Sequence, residues 1–283
     1  MGKALDHFWL FGVRPHQDDT LLDGWNHGER ICGSRITPAE GAFMLGVPNI
    51  IMICSDGIPV PFSRDALQYC ESYRRLKRVM WGVTGSTGFR LGNEEHFVAQ
   101  LANQYPNVKG AFCDDFFTRY GDPKAPDFTQ RVIEDLQQIR AGLDQSRVRL
   151  PLYVVWYAQQ YGQIDPKIFD YFDGITIWGG ACDLPNLEQN FLRIHREFPH
   201  HKKLLGIYMY DFETYKVNSN ELMAHQCNLG LKWMKEGILD GLIFEANSVM
   251  GIGLPSERWV CDWIDRVKDD DVPDTIGFDA PRR

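Results

Sequence analysis

Eight short apolar runs, rich in Val, Ile, Phe, Trp and Tyr, alternate with amphipathic stretches along the chain, and this alternation constrains the fold more than any other feature. Strand-length apolar runs separated by helix-length stretches form parallel βα units, because a parallel connection must cross over the sheet and cover it. The pattern predicts strands at 7–16, 49–56, 78–84, 108–116, 151–157, 174–178, 204–211 and 241–247. No Pro/Gly/Ser-rich linker interrupts the series. Eight uninterrupted units at 283 residues match a single (β/α)8 TIM barrel of the α/β class, spanning 1–270, with an extended tail at 271–283.

Helix signals fall between the strands. Thr37-Pro38-Ala39-Glu40 combines a capping threonine, a proline suited to the first helical position and a glutamate that closes a capping box. Further helices are expected at 63–77, 93–104, 127–143, 166–172, 186–198, 219–235 and 255–267. In the fourth of the whole series, Val132, Ile133, Leu136, Ile139 and Leu143 share one face. An open doubly wound sheet would need a glycine-rich turn after strand one. Arg14-Pro15-His16-Gln17 stands there instead and cannot cradle a pyrophosphate. The glycines at 82, 85 and 88 lack a P-loop lysine and read as an ordinary βα loop. The first connection, about 17–36, is long enough to suggest a functional rather than a connective loop.

A formal net charge of -8 and the absence of a basic cluster argue against nucleic acid as a partner, since that affinity rests on clustered Lys and Arg. No apolar run approaches the roughly 18 residues of a membrane span. The first residues contain no apolar signal segment, so a cytoplasmic protein is expected, or a mature form whose signal has been removed. The seven cysteines are scattered and never form a C-x-x-C pair. They read as buried free thiols, not as a disulfide framework or zinc site.

Barrel enzymes carry their reacting groups at the C-terminal ends of the strands. Here those ends offer Arg14 and His16, Asp56, Asp114 and Asp115, Trp156 and Tyr157, Trp178, Tyr208, Tyr210 and Asp211, and Glu245 and Asn247; Glu213 follows strand seven. Adjacent aspartates on a strand point to opposite faces, so one of Asp114 and Asp115 is expected to face the barrel mouth. Two opposed carboxylates are the minimum machinery for glycoside hydrolysis. Asp115 or Asp114 is the candidate proton donor, and Asp211 or Glu245 the candidate nucleophile or base. Arg14, His16, Asp56 and Asn247 are candidate substrate contacts, with Gln159 and Gln160 beside them. The rings of Trp156, Tyr157, Trp178, Tyr208 and Tyr210 suit the C–H faces of a sugar.

The segments Phe112-Cys113-Asp114-Asp115-Phe116-Phe117, Tyr153-Val154-Val155-Trp156-Tyr157, Ile175-Thr176-Ile177-Trp178 and Gly206-Ile207-Tyr208-Met209-Tyr210-Asp211 together resemble uncharacterised bacterial TIM-barrel proteins of the glycoside hydrolase superfamily. The resemblance spans most of the chain. It implies an acid at strand four and a second carboxylate at strand seven, where the superfamily usually has Asn-Glu and Glu. This chain has aspartate in both places, so acid and nucleophile remain interchangeable at this point. A carbohydrate or glycoside would be the substrate, without a cofactor.

Two other readings fit the same residues. Asp56, Asp114, Asp115, Asp211, Glu245 and His16 could bind Mg²⁺ or Mn²⁺ in a sugar isomerase, epimerase or lyase. A non-catalytic carbohydrate-binding barrel would bind its ligand without turnover, and Asp115→Asn would then alter affinity alone. The sequence assigns no oligomeric state.

Overall fold

The computed structural model describes residues 1–15, 34–212 and 214–275. Eight parallel strands close into a barrel in chain order: β1 (Phe8–Gly12), β2 (Asn49–Met52), β3 (Arg78–Thr84), β4 (Val108–Cys113), β5 (Leu152–Tyr157), β6 (Gly174–Trp178), β7 (Lys202–Tyr208) and β8 (Gly241–Glu245). The (β/α)8 expectation is met, and the strands of β3 and β6 begin and end where the sequence places them. Strands β1 to β3 are buried along their whole length, as parallel strands covered on both faces must be. Their near-continuous apolar runs follow from that burial.

The chain forms two compact units, one within Met1–Ile50 and Ile177–Ile276, the other within Ile51–Thr176. In the first, β8 pairs with β7 and with β1, setting Glu245 opposite Tyr208 on one side and Phe11 on the other. In the second, β4 pairs with β3 and β5, and the β3 register shifts between Gly82 and Thr84.

The helices are α1 (Pro38–Leu45), α2 (Arg64–Ser72), α3 (Glu94–Gln104), α4 (Phe128–Leu143), α5 (Leu187–Glu197), α6 (Asn220–Lys235) and α7 (Pro255–Val267). The expected capping box starts α1: the Glu40 amide donates to Thr37 Oγ1 at 3.3 Å and the Thr37 amide to Glu40 Oε2 at 2.8 Å. Gly46, in the left-handed region at φ 67°, stops it where an L side chain would be strained. On α4, Val132, Leu136, Ile139 and Leu143 are buried at i+4, i+3 and i+4 steps, with Ile133 at the margin. The stretch at 166–172 folds as a 3-10 segment, Pro166–Tyr171. It buries Ile168 and Phe169 in place of a full helix.

Part of the expected tail is structured. Asp271–Val272 pairs antiparallel with Gly2–Lys3, and Lys3 Nζ reaches Asp271 Oδ1 at 2.9 Å. The loop expected at 17–36 lies largely outside the described residues.

Candidate functional site

The residues after β4 carry the most definite polar geometry of the second unit. The strand ends at Cys113, so Asp114 and Asp115 occupy a turn and not the strand expected there. Thr84 Oγ1, at the end of β3, donates to the Asp114 carbonyl at 2.6 Å and holds the chain as it leaves the sheet. Asp114 is buried. Asp115 then adopts the left-handed conformation at φ 47° and ψ 26° before the 3-10 segment Phe116–Tyr120. Aspartate tolerates this region better than most residues, and the conformation turns its side chain away from the direction a strand would give.

Both Asp115 oxygens are engaged. The Thr87 amide donates to Oδ2 at 2.8 Å and the Tyr157 hydroxyl to Oδ1 at 2.7 Å. Three successive strand ends, those of β3, β4 and β5, thus converge on one half-buried carboxylate. Each carboxylate oxygen has a second lone pair, so the two donors fix its orientation and leave acceptor capacity.

The glycines of the β3 connection make this approach possible. A Cβ on Gly85 would come within 2.0 Å of the Cys54 carbonyl oxygen, and one on Gly88 within 2.8 Å of the Asp115 carbonyl oxygen. The connection expected to be an ordinary loop is therefore built around Asp115. Its signal in the sequence was the spacing of three between Gly82, Gly85 and Gly88.

Below it lies a buried ionic cluster. Arg90 pairs with Glu95 and Asp135 and lies 3.7 Å from Glu94. Asp135 also receives Arg119 at 3.1 Å and the Tyr120 hydroxyl at 2.5 Å. Glu94 accepts the amides of Gly92 and Asn93 at 2.8 and 3.0 Å. The cluster anchors both the β3 connection and the segment behind Asp115. Sequence reasoning missed it, because its members are spread over 46 positions with no local motif.

In the first unit the rings of Phe11, Trp178, Tyr208 and Phe212 form a chain, with centroid separations of 5.6, 5.2 and 6.1 Å. Gly206 admits the indole, since a Cβ there would meet Trp178 Cε3 at 2.1 Å. Tyr208 is half-buried at the end of β7, beside half-buried Glu245 at the end of β8. Asp211 belongs to the short hairpin of Tyr210–Asp211 with Lys216–Val217. Its Oδ2 accepts from Thr214 Oγ1 at 2.5 Å and from the Ala181 amide at 3.4 Å.

Four of the expected sugar contacts, Trp156, Trp178, Tyr210 and Asn247, are buried. Trp156 is buried against Tyr161 and Phe169, with centroids at 4.9 and 4.4 Å, because alternation along β5 sends it opposite to Tyr157. Tyr210 is buried beside Phe212. Asn247 is wholly buried and clamps two segments, accepting the Val13 amide at 2.8 Å and donating to the carbonyls of Val13 and Ile36 at 2.9 and 2.7 Å. Its amide is consumed by backbone. Tyr157 is likewise turned to Asp115, and Gln160 Oε1 accepts the Tyr157 amide at 3.3 Å.

Asp56 is exposed in a left-handed turn at φ 54°, Gln159 is exposed on the turn after β5, and Arg14 is half-buried just beyond β1. His16 and Glu213 lie outside the described residues. Burial pushes the Cys54 thiol up to about 12 and the Cys113 thiol well above its usual range, which suppresses the nucleophilic thiolate at either strand end. Among the described residues no three His, Cys, Asp or Glu side chains group as a metal site, and no helix is long and apolar enough to cross a membrane.

Neither a known family model nor a curated protein matches this sequence. Solved structures do match its fold. The glycoside hydrolase domain of PgaB (BpsB) from Bordetella bronchiseptica aligns at TM-score 0.57 and 11% identity over 94% of this chain and 99% of that one. A GH99 endo-alpha-mannosidase from Bacteroides thetaiotaomicron aligns at 0.59 and 9% over 93% and 97%. EDTA monooxygenase from Chelativorans sp. BNC1 aligns at 0.51 and 10% over 97% and 96%. These likenesses define a (β/α)8 barrel, a fold that hosts more than one chemistry.

Proposed function

We propose that this chain is a glycoside hydrolase-like enzyme that cleaves a glycosidic bond with carboxylates at the C-terminal ends of its barrel strands. The observation that carries the reading is Asp115: a carboxylate in a left-handed turn directly after β4, oriented by the Thr87 amide and the Tyr157 hydroxyl. Two donors from different elements, one on each oxygen, orient this single acidic group, and preorganised carboxylates are what glycoside cleavage requires. The glycoside hydrolases among the solved barrels add support at the level of fold.

In this mechanism Asp115 or its neighbour Asp114 donates the proton to the glycosidic oxygen. Asp211, in the hairpin that follows β7, and Glu245, the last residue of β8, are the candidates for nucleophile or base. Tyr208, half-buried at the end of β7, remains the candidate sugar platform, since Trp178 is as buried as Trp156 and Tyr210; Asp56, Gln159 and Arg14 are the candidate polar contacts.

The test is a panel of aryl glycosides and oligosaccharides assayed with wild type, Asp114→Asn, Asp115→Asn, Asp211→Asn and Glu245→Gln. Sugar release that Asp115→Asn or Asp114→Asn lowers by at least a hundredfold supports the reading. Sugar binding without release by wild type would favour a binding barrel instead. Activity that requires added Mg²⁺ or Mn²⁺, with isomerisation as the outcome, would replace it with metal-dependent sugar chemistry.

A further inference from the structure

The connections after β2 and β3 display apolar side chains to solvent in an ordered way. In Ile58-Pro59-Val60-Pro61-Phe62 the two prolines are buried while Ile58, Val60 and Phe62 point outward. Phe89 and Leu91 join them from the next connection, and the five are between 40 and 54% exposed. The two connections touch: Ser86 Oγ donates to Ser55 Oγ at 3.0 Å, and Phe89 lies where a Cβ on Gly57 would stand, 2.5 Å from Cε1. Phe89 is also two residues from Thr87, the amide donor to Asp115. The connection that carries Phe89 and Leu91 therefore also carries the amide that orients the candidate catalytic carboxylate.

Its chemistry narrows the occupant. Segments 57–62 and 86–92 contain one charged residue, Arg90, whose side chain is buried in ion pairs. Sugar rings stack on aromatic planes, whereas three of these five side chains are branched aliphatics that match a hydrocarbon chain. Side chains of roughly 150–200 Å² each, about half exposed, present on the order of 400 Å². That is about half of the ~800 Å² per partner that a stable protein–protein interface buries. Proline fixes its own φ, so the surface loses little freedom when it is covered.

We infer that this surface holds the alkyl or acyl portion of an amphiphilic glycoside, with its sugar directed to Asp115. The inference rests on the glycosidase reading for the sugar end and on the apolar surface for the chain.

It is tested by binding, without turnover. Titration of the full chain with n-alkyl glucosides from methyl to octyl, below their micelle concentrations, should show affinity rising about two- to fourfold per methylene. In Val60→Ser/Leu91→Ser and in Phe62→Ser/Phe89→Ser that rise should flatten. The first pair is surface-exposed and guards against misfolding of the second, in which Phe62 also packs on Phe97. Affinity independent of chain length in wild type overturns the inference, as does binding to phosphatidylcholine vesicles, or dimerisation, abolished by the same variants. Chain-length-dependent binding without hydrolysis of any glycoside would remove the glycosidase reading and leave the apolar site standing. Hydrolysis indifferent to chain length would do the reverse.

Discussion

Lys203 offers a direct test of how this barrel carries charge. It lies in β7, is 2% exposed, and donates from Nζ to the His201 carbonyl at 2.7 Å. Burial pushes its ammonium down to about 8; attraction to Asp240 opposes that and repulsion from Lys202 adds to it. The unfolded chain holds this proton more tightly than the folded one. The penalty is therefore fully present below about pH 8 and is released as pH rises from about 8 towards 10.5. At about 1.36 kcal/mol per tenfold change in proton affinity, the penalty is on the order of 3 kcal/mol, of which about 2 should be recovered by about pH 9.5.

Lys203→Met removes the penalty and also a hydrogen bond of about 1 kcal/mol. The variant should be more stable than wild type by about 1–2 kcal/mol near pH 7 and lose that advantage near pH 9.5. Absolute stability will mislead, because the buried thiols act with the opposite sign. Cys54, Cys70, Cys113 and Cys227 are raised by burial, so each contributes stability that is lost as pH rises through the free-thiol value of about 8.5. The difference between variant and wild type cancels them. Urea unfolding followed by circular dichroism at both pH values measures it. A difference that is the same at both would refute the reasoning.

Arg90→Met leaves Glu94, Glu95 and Asp135 without their shared buried cation, and the loss should be about 3–5 kcal/mol in urea unfolding. Gly206→Ala forces a methyl against the Trp178 indole and should cost at least about 1–3 kcal/mol, with a change in tryptophan fluorescence reporting the displaced ring. Tyr157→Phe removes one of the two donors to Asp115 at little cost in volume. On any glycoside that wild type cleaves, it should lower kcat about tenfold or more with KM little changed, and an unchanged kcat would detach Tyr157 from the chemistry.

The fold was legible because its determinants are local and repeated. Strands buried on both faces must be apolar along their length, so β3 and β6 could be bounded to the residue. The capping box at Thr37 and Glu40 is a four-residue signal that the backbone realises directly. Strand ends were less legible. At 204–211 the apolar run continues past the last barrel residue, Tyr208, into the hairpin that carries Asp211, and nothing in Met209-Tyr210 marks the change of partner. The 3-10 segment Pro166–Tyr171 is too short for periodicity to distinguish it from a helix.

The site was legible in its residue types but not in their orientation. Strand alternation separates Asp114 from Asp115 only while both are in a strand, and the strand ends one residue earlier. What aims Asp115 is a left-handed turn together with partners 28 and 42 positions away, Thr87 and Tyr157. One of those partners acts through its backbone amide, which no side-chain pattern can reveal. The same alternation separates Tyr157 from Trp156 on β5, since neighbours on a strand cannot both face the mouth. Asn247 shows the converse limit. A polar residue just beyond a strand end reads as a ligand contact, yet its three amide bonds go to the carbonyls and the amide of Val13 and Ile36, which need partners where the chain leaves the barrel. Residues at such ends are divided between binding a substrate and satisfying the backbone, and only the hydrogen-bond partners decide which.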